Sequence, residues 1–130
     1  MKLKSKKNLP AFPFVIDLMQ GLDYQIKPMF GCHAIYIGEK IVIILRNKDN
    51  HEEANGVWIA TDFEHHASLK KLFKGLTRVA ILTNGDKETA WQMISNTNEL
   101  FEEQTTKLCE LIRKNDPRIG RIPKRKSAGK

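Results

Sequence analysis

The chain has little cysteine: two residues, Cys32 and Cys109, among 130. They stand 77 positions apart, which is neither a metal-ligand spacing nor a disulfide framework, so a reducing cytoplasmic setting is expected. Long apolar runs are missing as well. The longest purely aliphatic stretch is residues 41–45, against the roughly 20 residues that a membrane-spanning helix needs, so neither a transmembrane segment nor a membrane partner is expected. Pro10, Pro13 and Asp17 interrupt the apolar stretch behind the first lysines, and no small-residue cleavage site follows, which predicts no signal peptide. No GxGxxG and no GxxxxGK[ST] occurs, so no phosphate loop is expected, and residues 47–56 fit no EF-hand register.

What is present is the composition of one folded domain. The hydrophobic fraction is 41%, the charged fraction 28%, and six Phe, two Trp and two Tyr supply core material. The net charge of +7 is unevenly placed. Residues 1–8 carry Lys2, Lys4, Lys6 and Lys7, and residues 118–130 carry Arg118, Arg121, Lys124, Arg125, Lys126 and Lys130, with no acid in either segment. All 15 acids lie in residues 9–117 against 12 bases, leaving that body at −3. The division is therefore a basic N-terminal tail (1–8), a mildly acidic body (9–117) and a basic C-terminal tail (118–130). Basic arms of this kind attract phosphates by releasing counterions, which makes Arg118, Arg121, Lys124, Arg125 and Lys126 the candidate nucleic-acid contacts. The other reading of the same charge is a pair of solubilising tails. Ile119 and Ile122 punctuate the C-terminal bases, so the first half of that segment is expected to dock while the rest stays free.

Hydrophobic periodicity predicts a helix over residues 12–22, an edge piece over 25–30 that contains Pro28, and two strands over 33–37 and 40–46. Gly38 and Glu39 have the length and chemistry of the hairpin turn between them. A fourth strand follows at 57–60. Thr61 and Glu64 form a T-x-x-E capping pattern ahead of a second helix that carries Leu69, Leu72 and Phe73, with Gly75 as its stop. Residues 78–83 and 90–94 read as strands, and residues 99–114 as a third helix. The order α-β-β-β-β-α-β-β-α, with clustered strands and short turns, predicts a two-layer α+β fold: a mostly antiparallel sheet with helices on one face.

Candidate chemistry is sparse. Cys32 and His33 are adjacent on a strand, so their side chains leave on opposite faces and cannot form a thiolate–imidazole pair with each other. His65 and His66 are consecutive on a helix, about 100° apart, which does not present both to one metal. Trp58 and Trp91 sit in strand candidates with no interleaved basic face, as core residues do. Cys109 lies beside an apolar helical stripe and is assigned to the core or its edge. The sequence thus offers no catalytic residues, no metal ligands and no cofactor site, and a non-enzymatic protein is expected.

Met29, Phe30 and Gly31, followed by the hairpin Ala34-Ile35-Tyr36-Ile37-Gly38-Glu39-Lys40-Ile41, resemble the signature of the TfoX N-terminal domain family. Where that family commonly has a second glycine after Met-Phe-Gly, this chain has Cys32 and His33. The resemblance spans about residues 12–112 and implies a small bacterial two-layer α+β domain, a short single-domain member of a family whose best-known representatives regulate natural competence through transcription control. It brings no catalytic residues, and it makes Met29, Phe30 and Gly31 a structural signature. The functional expectation is an interaction or regulatory module that engages nucleic acid through its basic tails. The alternative is a protein-interaction module, partner-binding or homodimeric, that uses the sheet edge or groove near Met29 and Phe30. A small Cys/His enzyme built on Cys32 and a distant histidine is the third class.

Overall fold

The computed structural model describes residues 10–79, 81 and 89–122. Lys2, Lys4, Lys6, Lys7, Lys124, Arg125, Lys126 and part of the strand expected at 78–83 lie outside the described residues. In chain order the elements are α1 (Pro13–Leu18), β1 (Tyr24–Met29), β2 (Cys32–Ile37), β3 (Lys40–Arg46), a 3-10 turn (Glu52–Ala54), β4 (Gly56–Ile59), a second 3-10 turn (Phe63–His65), α2 (His66–Leu72), β5 (Thr77–Arg78), β6 (Gln92–Ser95) and α3 (Phe101–Arg113). The strands form one sheet in the order β1-β2-β3-β4-β6-β5, with every neighbouring pair antiparallel. This is the α+β class that strand clustering predicts.

The period-2 alternation of the strands feeds two apolar layers. Toward the helices, Ile35, Ile43 and Ile59 stand side by side across β2, β3 and β4, under Val15 of α1 and Met19 just after it, Leu69 of α2, and Leu108, Cys109 and Ile112 of α3. Each such side chain contributes about 1.5–3 kcal/mol by leaving water. On the opposite face Ala34, Ile44, Trp58 and Met93 form a second row, joined by Cys32 and Tyr36. A bulge in β3 serves both layers. Tyr36 pairs with Ile41 and Ile35 with Ile43, so Val42 is the extra residue; Ile41 then falls in the second layer while Val42 and Ile43 face the helices.

Three sequence expectations change. The first helix stops at Leu18 rather than 22, because Gly21 takes φ 90° and turns the chain into β1. The capping box at Thr61 does not form. Ala60 N–H donates to Val42 O at 3.0 Å, Thr61 is drawn inside with its hydroxyl unpartnered, and α2 opens at His66 after the 3-10 turn. The last strand begins at Gln92 and extends to Ser95.

The C-terminal segment closes the sheet where β4 ends. Ile41 and Arg121 exchange backbone hydrogen bonds of 2.9 Å in both directions, Gly120 N–H donates to Ala60 O at 2.6 Å, and Ile119 is buried under the helix-side core. Residues 118–121 are thus docked on the body, with Ile119 buried and Ile122 exposed.

Candidate functional site

β1 and β2 are joined by two residues, Phe30 and Gly31, with φ of 55° and 72°. Two left-handed residues in a two-residue hairpin are the type I′ arrangement, which matches the twist of the strands and favours Asn-Gly or Gly-Gly. Gly31 fits it without strain, whereas a phenylalanine held left-handed costs about 1–2 kcal/mol. Burial does not offset that cost. Phe30 is 55% exposed, and among the described residues its ring–ring contact is with Trp58, at 6.0 Å between centroids. Met29, by contrast, is half-buried against the second layer. Beneath the turn the Cys32 thiol donates to Phe30 O at 3.3 Å, so the loop is braced from inside.

Beside this turn stands a residue that sequence reasoning overlooked. Arg46, at the end of β3, is only 5% exposed. Its Nη1 donates to Asn55 Oδ1 (2.7 Å) and His51 O (2.9 Å), and its Nη2 to Asn50 O (3.0 Å) and Asn50 Oδ1 (3.2 Å). The same Asn55 oxygen accepts from Lys48 N–H at 2.9 Å, while Asn55 Nδ2 donates to Lys48 O at 2.9 Å. The polar segment between β3 and β4 is therefore a loop wound on a buried guanidinium. Among the described residues no carboxylate pairs with that charge. The signal was a charged residue directly continuing the run Ile41 to Leu45.

Gly31, Cys32, His33, Leu45, Arg46 and Lys48 border a cavity of about 280 Å³ between turn and loop. Lys48 Nζ lies 2.7 Å from where a Cβ on Gly31 would stand, so the ammonium covers the glycine of the turn. Burial raises the Cys32 thiol above its ordinary range, with Lys48 and Arg46 pulling the other way. A thiol kept protonated is a weak nucleophile, and the hydrogen bond it makes is to a backbone carbonyl. Cys109, inside the helix-side core, is pushed up to about 12 by burial.

The remaining candidates are dispersed. His51 lies 3.7 Å from Glu53 and His65 lies 3.3 Å from Glu64, both near the surface. His66 is half-buried with Nε2 at 2.8 Å from Ala90 O. Among the described residues no three His, Cys, Asp or Glu side chains converge on one point. Trp58 is fully buried, with Nε1–H donating to Ala54 O at 2.8 Å and its ring edge-on to Trp91 at 6.1 Å.

Of the expected phosphate contacts, the two that are described face carboxylates. Arg118 forks onto Asp116 through Nε (2.9 Å) and Nη2 (2.8 Å) and donates through Nη1 to Ser68 Oγ (2.6 Å). Arg121 Nε lies 3.1 Å from Asp62. The hydrogen bond from Arg118 holds the Asp116 carboxyl down to about 2 and raises the guanidinium in turn. Among the described residues no helix is long and apolar enough to cross a membrane. No family model matches the chain, and comparison with curated proteins and with solved structures gives no match.

Proposed function

We propose that this chain is a non-enzymatic interaction and regulatory module, of the kind its resemblance to the TfoX N-terminal domain implies, and that it captures a protein partner through the turn at Met29, Phe30 and Gly31. One observation carries the reading: Phe30 occupies a left-handed position that disfavours it and exposes 55% of its surface there. Turn geometry disfavours an aromatic at this place, and beside Trp58 the ring is left more than half exposed, whereas binding energy at interfaces concentrates in such rings. Lys48 over Gly31, and Lys27 on β1 with its ammonium 4.8 Å above the Tyr36 ring, add positive charge to the hairpin that carries Phe30. The partner surface that fits is an apolar pocket for one ring, rimmed by acidic groups.

The basic-tail reading has less support. Arg118 and Arg121 are committed to Asp116 and Asp62, which leaves the bases outside the described residues to attract phosphate. A photo-crosslinking residue at position 30, with position 25 on the same edge strand as control, tests the proposal in cells. A discrete protein adduct at position 30, a second copy of this chain included, and its loss in a Lys48→Glu background are expected. Adducts no stronger than at position 25, or adducts with nucleic acid alone, would overturn it.

A further inference from the structure

Two polar side chains on the cavity between the Phe30 turn and the β3–β4 loop have no partner among the described residues. Lys48 is exposed, and its Nζ makes no hydrogen bond or ion pair there; the His33 ring, half-buried near the start of β2, makes none either. Both line the same space of about 280 Å³. An imidazole always carries at least one N–H, so each of the two can donate. The backbone beneath both is fixed. Asn55 accepts from Lys48 N–H and donates to Lys48 O, at 2.9 Å each, and His33 is paired with Pro28 on one side and Leu45 on the other. A ligand is therefore spared much of the cost of ordering its donors.

The charge around this space is positive. Arg46, behind the wall, gives its Nη protons to the neutral acceptors of Asn50, His51 and Asn55, so no carboxylate among the described residues cancels its charge. The Cys32 thiol, on the same lining, registers that field: burial raises it, and the charges of Lys48 and Arg46 pull it down. No acid among the described residues lines the cavity. Residues 1–9 and 123–130 contain no Asp or Glu. Asp86 and Glu88 belong to the connection between Val79 and Trp91, which meet beside the Gln92–Ile59 end of the sheet, whereas Arg46 pairs with Gly56 at the opposite end of β4. The rest of the wall is apolar, from Ala11, Leu45 and Cys32.

We infer that this cavity is a binding site for a small organic carboxylate. Its oxygens accept from Lys48 Nζ and the His33 N–H, and its carbon chain lies against the apolar wall. That wall favours a ligand with a short carbon skeleton over inorganic phosphate or sulfate, and a volume of about 280 Å³ restricts it to a few carbons. Two sources carry this chemistry: a free short-chain acid, and the side chain of an acidic residue on a partner protein. The site makes no use of the Phe30 ring, so it stands or falls separately from partner capture by that residue.

Matched titrations of the full chain at constant ionic strength test this, followed by the NMR signals of the His33 ring, the Lys48 side chain and the Gly31 amide. Butyrate is compared with butyramide, and N-acetylglutamate α-amide with N-acetylglutamine α-amide; the members of each pair share a shape and differ in charge. Saturable binding of at least one carboxylate is expected, about tenfold tighter than its amide. Lys48→Gln, on an exposed side chain, and His33→Phe are each expected to weaken the carboxylate by about tenfold, and Lys48→Arg to keep most of the binding. Should circular dichroism show that His33→Phe disturbs the fold, the two Lys48 variants decide. Tighter binding of butyrate assigns a free acid, and tighter binding of the glutamate derivative an acidic side chain. Equal binding within both pairs, no saturation by either carboxylate, or binding undiminished in Lys48→Gln would overturn the inference.

Discussion

Arg46 and Asn55 form a closed polar unit at the end of the sheet: the guanidinium donates to Asn55 Oδ1 at 2.7 Å, and the same amide holds both backbone groups of Lys48. This pair converts a polar segment into a fixed wall beside the Phe30 turn. Asn55→Ala removes three hydrogen bonds at once and leaves buried donors without partners, so a loss of about 3 kcal/mol is expected in urea denaturation. A variant as stable as the parent would show that the loop holds its shape without Asn55.

Phe30→Asn separates stability from binding. Asparagine tolerates the left-handed position that phenylalanine resists, and the ring given up is mostly in water. The variant is expected to unfold at or above the parental denaturant midpoint while no longer co-purifying with the partner that a crosslinker at position 30 identifies. A clear fall in stability would make Phe30 a packing residue.

Gly31 and Gly56 differ in what surrounds them. A Cβ at Gly31 meets the flexible end of Lys48, so Gly31→Ala costs only the left-handed strain, about 1–2 kcal/mol. A Cβ at Gly56 runs into the Ile94 carbonyl on the neighbouring strand, and φ there is 151°. Gly56→Ala is expected to lose about 4 kcal/mol or more, or not to accumulate as folded protein, because a ladder carbonyl cannot move without breaking β4–β6 pairing. Circular dichroism of the two purified variants checks the order.

Asp116 gives the acid limb of stability. Its carboxyl ordinarily titrates near 3.8 and is held at about 2 in the folded chain by Arg118. A lowered folded value means that the pair stabilises the fold fully above about pH 4 and that this contribution fades as pH falls toward 2. Asp116→Asn is expected to be less stable than the parent at neutral pH, with the difference shrinking over that interval. Urea midpoints measured across the range check the sign.

The thiols are expected to label in sequence. Cys109 sits in the helix-side core with its pKa raised to about 12, whereas burial raises Cys32 less at the cavity rim. An aromatic disulfide reagent at mildly alkaline pH should modify Cys32 first, and Cys109 only as fast as the chain unfolds. Cys109 reacting first would reverse the assignment.

The helix of residues 101–113 and the hairpin around Gly38 were legible in the sequence, because an apolar stripe and a Gly-containing two-residue turn are local signals. The capping pattern at Thr61 was equally legible and misleading. Its hydroxyl is pulled inward by the pairing of Ala60 with Val42, a contact between residues 18 positions apart. Arg118 and Arg121 read as free cations because Asp116 precedes one by two residues while Asp62 is distant from the other, and charge counting does not report who faces whom. Arg46 passed unnoticed for a related reason. A polar residue within a strand pattern is informative only once its burial is known.

The sequence alone determined the element types, their order and the antiparallel sheet, since periodicity, turn glycines and short connections act between near neighbours in the chain. Tertiary structure decided that Phe30 stays exposed, that Arg46 is buried without a carboxylate, and that Lys48 and His33 line one cavity. Those are properties of the space between strands and helices. They depend on which distant segments fill it, and no local pattern encodes that.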